Sequence, residues 1–274
     1  MSKTSKQGCA EEEVERDEDG YETVHVLTRS QLRSKYTLHA QLADEIQDFE
    51  VLKRCILHLV DGDQPLSDSE RKLFLLAFKN CVGTRRKAWR QLRKQEMEME
   101  STDPLMTHLR SYKNQIELEI ESVCKEILSA INKLLVDSNQ QLVTQEKVFY
   151  LKLQGDYWRY LCEFRRGSQL EVSSSQALQA YNQARDAVQG PSGLSPCDPQ
   201  LLGLALNMSV FHYEILGNRL EGLRLCRDVY QAAEQYLSSE NVDAQQERGA
   251  RVVLKLLRDN LGLWENEINT GDLG

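Results

Sequence analysis

From residue 31 to about 268 the apolar positions recur at helical spacing, and no stretch there alternates convincingly with the period of a strand. The pattern predicts helices over about 34–48, 50–61, 69–100, 105–137, 143–166, 170–189, 199–216, 219–239 and 246–268. All five prolines, at 65, 104, 191, 196 and 199, fall where the periodicity breaks, as residues that cannot continue a helix should. Ser-Asp-Ser-Glu at 67–70 has the spacing of a capping box ahead of a long run. The one Gly/Pro/Ser-rich loop of any length is QGPSGLSPCDP at 189–199, and no fixed period marks a helix-pair repeat. The expectation is an all-α fold, one domain over 31–268 built from nine antiparallel helices. Residues 1–30, polar and acidic with short apolar islands such as Val24, Val26 and Leu27, read as a mostly disordered arm, and 269–274 as a short tail.

Four helical faces carry candidate chemistry. In YLKLQGDYWRYLCEF (150–164), Lys152, Asp156, Arg159 and Glu163 fall within roughly 60° of one another. Tyr160 lies beside that file, and Leu151, Leu153, Tyr157, Trp158, Leu161 and Phe164 cover the other side. In RKLFLLAFKNCVGTRRKAWR (71–90), Lys72, Lys79, Arg86 and Arg90 share a face, with Gly83 between them. LLGLALNMSVFHYEIL (201–216) aligns Gly203, Asn207, Val210 and Glu214, while VVLKLLRDNLGLW (252–264) aligns Val253, Leu256, Leu257, Asn260 and Trp264. Taken singly, each stripe is what a solvated face or an ordinary core looks like, because an exposed i,i+4 ion pair contributes only a few tenths of a kcal/mol. Taken together they would suit a phosphorylated peptide. Arginine forks and a tyrosine hydroxyl match a tetrahedral dianion, asparagine amides both donate to and accept from an extended backbone, and an apolar wall holds side chains.

Composition narrows the alternatives. With 274 residues, 41% hydrophobic and 28% charged, the chain is long enough for a substantial core. Residues 11–22 hold eight acids and one base, so −7 of the net −8 sits in the arm and the body is close to neutral. That balance gives no bulk attraction to nucleic acid or to anionic lipid. The seven cysteines, at 9, 55, 81, 124, 162, 197 and 226, form no CxxC pair and several sit in apolar helical patterns, which suits buried free thiols in a reducing compartment. Neither they nor the five histidines show metal-ligand spacing, so no metal or cofactor is expected. No run approaches the roughly 20 apolar residues that span a membrane, and the N-terminus lacks the regions of a signal peptide. A cytosolic protein with access to the nucleus is the expectation.

At this point the residues carry a family likeness. FKNCVGTRRKAWR, VFYLKLQGDYWRYLCEF, LGLALNMSVFHYEIL and LLRDNLGLW resemble, in order, the signature stretches of the 14-3-3 proteins, and the likeness is collinear from about residue 35 to 266. The resemblance implies a cup-shaped nine-helix domain around an amphipathic groove. It implies an adaptor that binds phosphoserine or phosphothreonine peptides of client proteins, not an enzyme. The family's phosphate contacts carry over onto Lys79, Arg86, Arg159 and Tyr160. Its backbone-holding asparagines match Asn207 and Asn260, and its apolar wall matches Leu206, Val210, Leu256 and Leu257. Lys152, Glu214 and Trp264 occupy further groove positions, and Asp156 and Glu163 would hold the cations in place. Two rivals remain from the residues alone. One is a helical scaffold indifferent to phosphate; the other is an enzyme using Asp156 and Glu163, disfavoured because both acids sit beside bases.

The resemblance also implies a dimer, in which the first two helices of one subunit pack on the third and fourth of the other. Leu42, Ala43 and Tyr112 match that interface, but the family's two ion pairs fall on Asp48 facing Glu119 and on Val51 facing Gln115. One pair has become like-charged and the other is uncharged. A homodimer or a heterodimer with a paralogue, its interface weakened, is the expectation. A serine that regulates dimerisation in some members corresponds to Ala88.

Overall fold

The computed structural model describes residues 12–16, 22–62, 64–136, 142–188, 194–239 and 242–270. Among them lie nine α-helices: α1 (Arg29–Glu45), α2 (Phe49–Val60), α3 (Asp68–Glu98), α4 (Met106–Val136), α5 (Thr144–Cys162), α6 (Gly167–Val188), α7 (Pro199–Val210), α8 (Arg219–Ser239) and α9 (Ala244–Thr270). Each overlaps an expected segment, the largest differences being α1, which starts five residues earlier than expected, and α7, which ends six residues earlier. The acidic arm departs from expectation. Residues Glu12–Arg16 (β1) and Glu22–Val26 (β2) pair as an antiparallel hairpin in which Glu12 faces Val26 and Arg16 faces Glu22. The rest of the arm, 1–11 and 17–21, and the tail residues 271–274 lie outside the described residues. Contacts divide the chain into two compact units, Met1–Val123 and Cys124–Gly274, where the sequence suggests a single domain.

The first unit is organised by caps. Thr28 and Gln31 cap α1 reciprocally, Asp48 caps α2 by accepting from the Val51 N–H at 3.1 Å, and Ser67 and Glu70 form the expected capping box of α3. Between α1 and α2 the chain turns sharply at Gln47, whose φ of 59° is in the left-handed region. The core is Leu52, Ile56 and Leu59 of α2 against Phe74, Ala77 and Phe78 of α3, with Ala40 and Ala43 of α1 also buried. Glu70 does more than cap. Its buried carboxylate accepts from Ser67 N at 2.8 Å, from Thr37 Oγ1 at 3.0 Å and from Arg33, tying α1 to the start of α3. Burial alone would raise its pKa, but those bonds outweigh the desolvation and hold it below the usual carboxylate range.

In the second unit, α5 packs most extensively on α6, and α7 touches α5, α6, α8 and α9. One core gathers Val148, Leu151, Cys162, Ala177, Tyr181, Ala184 and Phe211; another gathers Leu202, Tyr213, Leu223, Cys226, Leu254, Leu257 and Trp264. Two glycines permit the closest approaches. A Cβ on Gly155 would lie 2.5 Å from the Tyr181 ring, and one on Gly222 would lie 2.8 Å from the Ser209 carbonyl oxygen. Beyond α7 the helix does not continue as an α-helix to 216, as the periodicity suggests. Phe211–Ile215 form a π-helical turn, closed by the Leu216 N–H on the Phe211 carbonyl at 3.1 Å. The last helix begins two residues earlier than expected because the Asp243 side chain accepts from Gln245 N and Gln246 N, at 2.9 and 3.1 Å. Six cysteines are free and buried, as expected; Cys9 lies outside the described residues.

Replacing Glu70 by Ala removes the carboxylate that Arg33, Thr37 and the Ser67 N–H share, leaving Arg33 only the carbonyls of Gln64 and Pro65. Glu70→Ala should cost about 2–3 kcal/mol of stability, read as a lower urea midpoint by far-ultraviolet circular dichroism; an unchanged midpoint would show that the α1–α3 tie contributes nothing.

Candidate functional site

Each expected site residue belongs to one unit or the other, and the geometry within each is definite. In the first unit, Lys79 and Arg86 lie on α3, seven residues apart and so on one side of the helix, Lys79 exposed and Arg86 half-buried. Lys72 and Arg90 extend the same face and are exposed. Gly83, between them, faces open space, so a side chain there would meet no neighbour. Adjacent Arg85 serves a different purpose. Its guanidinium bonds Glu119 at 3.1 Å and Glu50 at 3.0 Å, pinning α3 to α4 and α2.

In the second unit α5 delivers the charged file, and one acid organises it. Asp156 is 3% exposed, yet both carboxylate oxygens are fully occupied. Oδ2 accepts from Lys152 Nζ at 2.7 Å; Oδ1 accepts from the Tyr181 hydroxyl and from Asn207 Nδ2, each at 2.6 Å. Arg159, 9% exposed, donates from Nε to the Tyr181 hydroxyl at 3.2 Å and brings Nη2 to 3.9 Å from Asp156 Oδ1. Its guanidinium also lies over the Tyr160 ring, 4.8 Å from the centroid. Lys152, Asp156, Arg159, Tyr160 and Asn207 are therefore brought together, with Gly203 close enough that an added Cβ would stand 3.5 Å from Lys152 Cε.

The electrostatics follow from burial and its compensation. Desolvation would raise the Asp156 pKa, but the Lys152 and Arg159 charges and the hydrogen bonds from Lys152 and Tyr181 prevail, so the carboxyl stays below its ordinary range. Desolvation likewise works against the Arg159 cation, and Tyr181 and Asp156 beside it more than restore the charge. Burial, and then Asp156, push the Tyr181 hydroxyl well above the usual tyrosine pKa, so it stays protonated and able to donate.

The apolar residues divide differently from expectation. Leu206 and Val210 are half-buried and pack on the second core, and Asn260 is half-buried. Leu256 is 48% exposed, whereas Leu257 and Trp264 are 0% and 2% exposed. Those two cannot offer a peptide their side chains. Trp264 stacks on Tyr213 with ring centroids 4.3 Å apart, and the Tyr213 hydroxyl bonds Glu267 at 2.7 Å. Leu257 and Trp264 both lie in the second core, and the exposed apolar residue four positions before Leu256 is Val252, which was not among the expected residues. Glu214 is exposed on the π turn, and Glu163 sits at the C-terminal cap of α5, its N–H bonded to the Tyr160 carbonyl at 3.3 Å. Tyr181 was not expected either. It occurs in an alanine-flanked apolar stripe of α6, where nothing distinguishes a working hydroxyl from a packing ring.

The expected interface residues all belong to the first unit. Leu42 and Tyr112 are about half exposed, whereas Ala43 is buried. A groove of about 800 Å³ there is lined by Ile46, Asp48, Ala88, Tyr112 and Glu119 among others. Asp48 caps α2 at Val51, and Gln115 donates to Glu119 at 3.3 Å. Among the described residues no metal-binding cluster occurs, and no helix is long and apolar enough to cross a membrane.

Among the described residues, nine helices thus present a charged file on α5, an asparagine on α7 and another on α9. The family model described as 14-3-3 protein matches residues 39–265. The 14-3-3-like protein GF14 epsilon of Arabidopsis thaliana is 35% identical over 239 residues, covering 86% of this chain and 92% of the relative. The 14-3-3 protein beta/alpha-1 of Oncorhynchus mykiss is 34% identical over 86% of this chain and 93% of its own length, and the human 14-3-3 protein beta/alpha is 33% identical over 88% and 96%. The chain belongs to the 14-3-3 family, whose members act as adaptors for client proteins and form dimers.

The depressed Asp156 pKa has a definite sign. Its contribution to stability is present above the unfolded value, about 3.9, and is lost as pH falls through the lower folded value. Asp156→Asn should cost about 3 kcal/mol at neutral pH by stranding buried partners, and should flatten the acid limb of the stability profile below about pH 4. Urea unfolding across that range checks it; a limb as steep as the wild type's would place the acid sensitivity elsewhere.

Proposed function

We propose that this protein binds phosphoserine and phosphothreonine peptides, clamping phosphorylated client proteins in an amphipathic groove and so regulating their activity, location or assembly. Lys79, Arg86, Arg159 and Tyr160 would bind the phosphate. Asn207 and Asn260 would hold the peptide backbone, with Lys152 lining the groove beside the phosphate ligands, Leu206, Val210 and Leu256 as apolar wall and Glu214 at its margin. The observation that carries the reading is the Asp156 network, which holds Lys152, Arg159 and Asn207 in fixed geometry. A positive group kept partly dehydrated suits an anion better than a solvated surface cation does, since its charge-assisted bonds form with little reorganisation. The role asks for no nucleophile or metal, and family membership points to an adaptor rather than an enzyme.

Arg159→Glu or Arg86→Glu should weaken a phosphoserine peptide at least about a hundredfold, since each charge-assisted bond contributes roughly 1.5–3 kcal/mol. Binding would be read by calorimetry beside the unphosphorylated peptide, with the helicity of the half-buried Arg86→Glu variant unchanged as the control for folding. Equal affinity of the wild type for both peptides would favour a phosphate-independent scaffold instead.

A weakened dimer is the second reading, favoured by the occupancy of the interface acids. Asp48 is spent on capping α2, and Glu119 is bonded within its own chain to Arg85 and Gln115. The face thus offers Asp48, Glu50 and Glu119 against Arg85, and two like copies would confront acid with acid. Light scattering should show a monomer at submicromolar concentration, with a dimer emerging only as concentration rises; a sharp dimer throughout would contradict this.

A further inference from the structure

Tyr181 brings a second hydroxyl, after Ser173, into a buried face of α6 otherwise built from Ala177, Ala180, Ala184 and Val188. A buried tyrosine needs only one polar partner to be satisfied. This one has two of opposite kind, donating to Asp156 Oδ1 at 2.6 Å and accepting from Arg159 Nε at 3.2 Å. It stands between a carboxylate and a guanidinium whose Nη2 lies 3.9 Å from Oδ1, longer than a hydrogen bond. Gly155 makes the position possible, since any Cβ there would collide with the ring.

Two consequences follow for groups proposed to touch ligand. The Arg159 guanidinium is restrained at Nε by Tyr181, at Nη2 by the Asp156 charge, and across its plane by the Tyr160 ring. Asn207 donates to the same Asp156 oxygen that Tyr181 does, which orients its amide so that Nδ2 faces inward and the carbonyl oxygen faces away from the carboxylate. One hydroxyl is thus linked to a phosphate ligand on α5 and, through one oxygen atom, to a backbone ligand on α7.

We propose that Tyr181 is a positioning residue of the phosphopeptide site, setting the rotation of the Arg159 guanidinium and, through Asp156, the amide of Asn207. The role rests on the phosphopeptide reading above. Positioning of this kind acts on affinity without contact, because a ligand meets groups that have already lost their rotational freedom.

The test uses the full chain, a phosphoserine peptide and its unphosphorylated twin. Tyr181→Phe keeps the ring and removes the hydroxyl with its bonds to Asp156 and Arg159; it should weaken the phosphopeptide about tenfold and leave the twin unaffected. By nitrogen-15 NMR the Arg159 Nε–H should exchange slowly in the free wild type and rapidly in Tyr181→Phe. In an Arg159→Lys background, where no Nε donor remains and only the route through Asp156 to Asn207 survives, Tyr181→Phe should add a smaller loss than it causes in the wild type; fully additive losses would mark a merely structural tyrosine and overturn the proposal. An unchanged phosphopeptide affinity in Tyr181→Phe would overturn it too. So would a rapidly exchanging Arg159 Nε–H in the free wild type, an outcome that needs no variant. A wild type that does not prefer the phosphopeptide would overturn the functional reading and the positioning role with it, whereas a preference that survives Tyr181→Phe intact would overturn the positioning role alone.

Discussion

A carboxylate removed from water must be compensated on every face, and Asp156 imposes that requirement on the second unit. Leaving such a charge unpaired would be worth several kcal/mol, a large part of the net stability of a domain. The compensation comes from four side chains on three helices: Lys152 and Arg159 from α5, Tyr181 from α6 and Asn207 from α7. Gly155 follows from the same demand, because the tyrosine reaches the carboxylate only if the residue before Asp156 has no side chain. The sequence Gly-Asp in the middle of an amphipathic helix is therefore one constraint expressed at two positions.

The same carboxylate reconciles two properties that usually oppose each other. An anion site needs cations that are poorly hydrated, and poorly hydrated cations repel one another and destabilise the fold. Placing Asp156 under Lys152 and Arg159 leaves that cluster with a net charge of +1 while keeping both cations directed and partly buried. In the first unit Arg85 solves a different problem, spending its guanidinium on Glu50 and Glu119 while its neighbour Arg86 occupies the adjoining side of α3.

Much of this was legible in the chain. Periodicity, prolines and the Ser67–Glu70 box located every helix, with the start of α1 and the end of α7 the least well placed, because most bounds are set by local chemistry. The charged file of α5 and Asn207 were legible for the same reason, as spacing on a helix fixes relative direction. What spacing cannot reveal is depth. Leu256 and Leu257 are consecutive and both apolar, but one is half exposed and the other sealed; Trp264 reads as a candidate wall and is held inside by Tyr213. Tyr181 was hidden by a related ambiguity, since its partners lie 25 and 22 residues away in sequence. The hairpin at 12–16 and 22–26 escaped because its acidic composition outweighed a weak alternation around Val14, Val24 and Val26.

The π turn at Phe211–Ile215 adds a residue to one revolution, so the helical frame before it and the frame after it differ by about 100°. Positions counted from Gly203 through Asn207 to Val210 do not extrapolate to Glu214, and the chain beyond the turn is indexed from a new origin. A one-residue deletion there would let the segment relax into an ordinary α-helix while swinging the downstream residues round the axis. Length variation among relatives at this point would then act as a rotation, changing which side chains face which way without altering any of them.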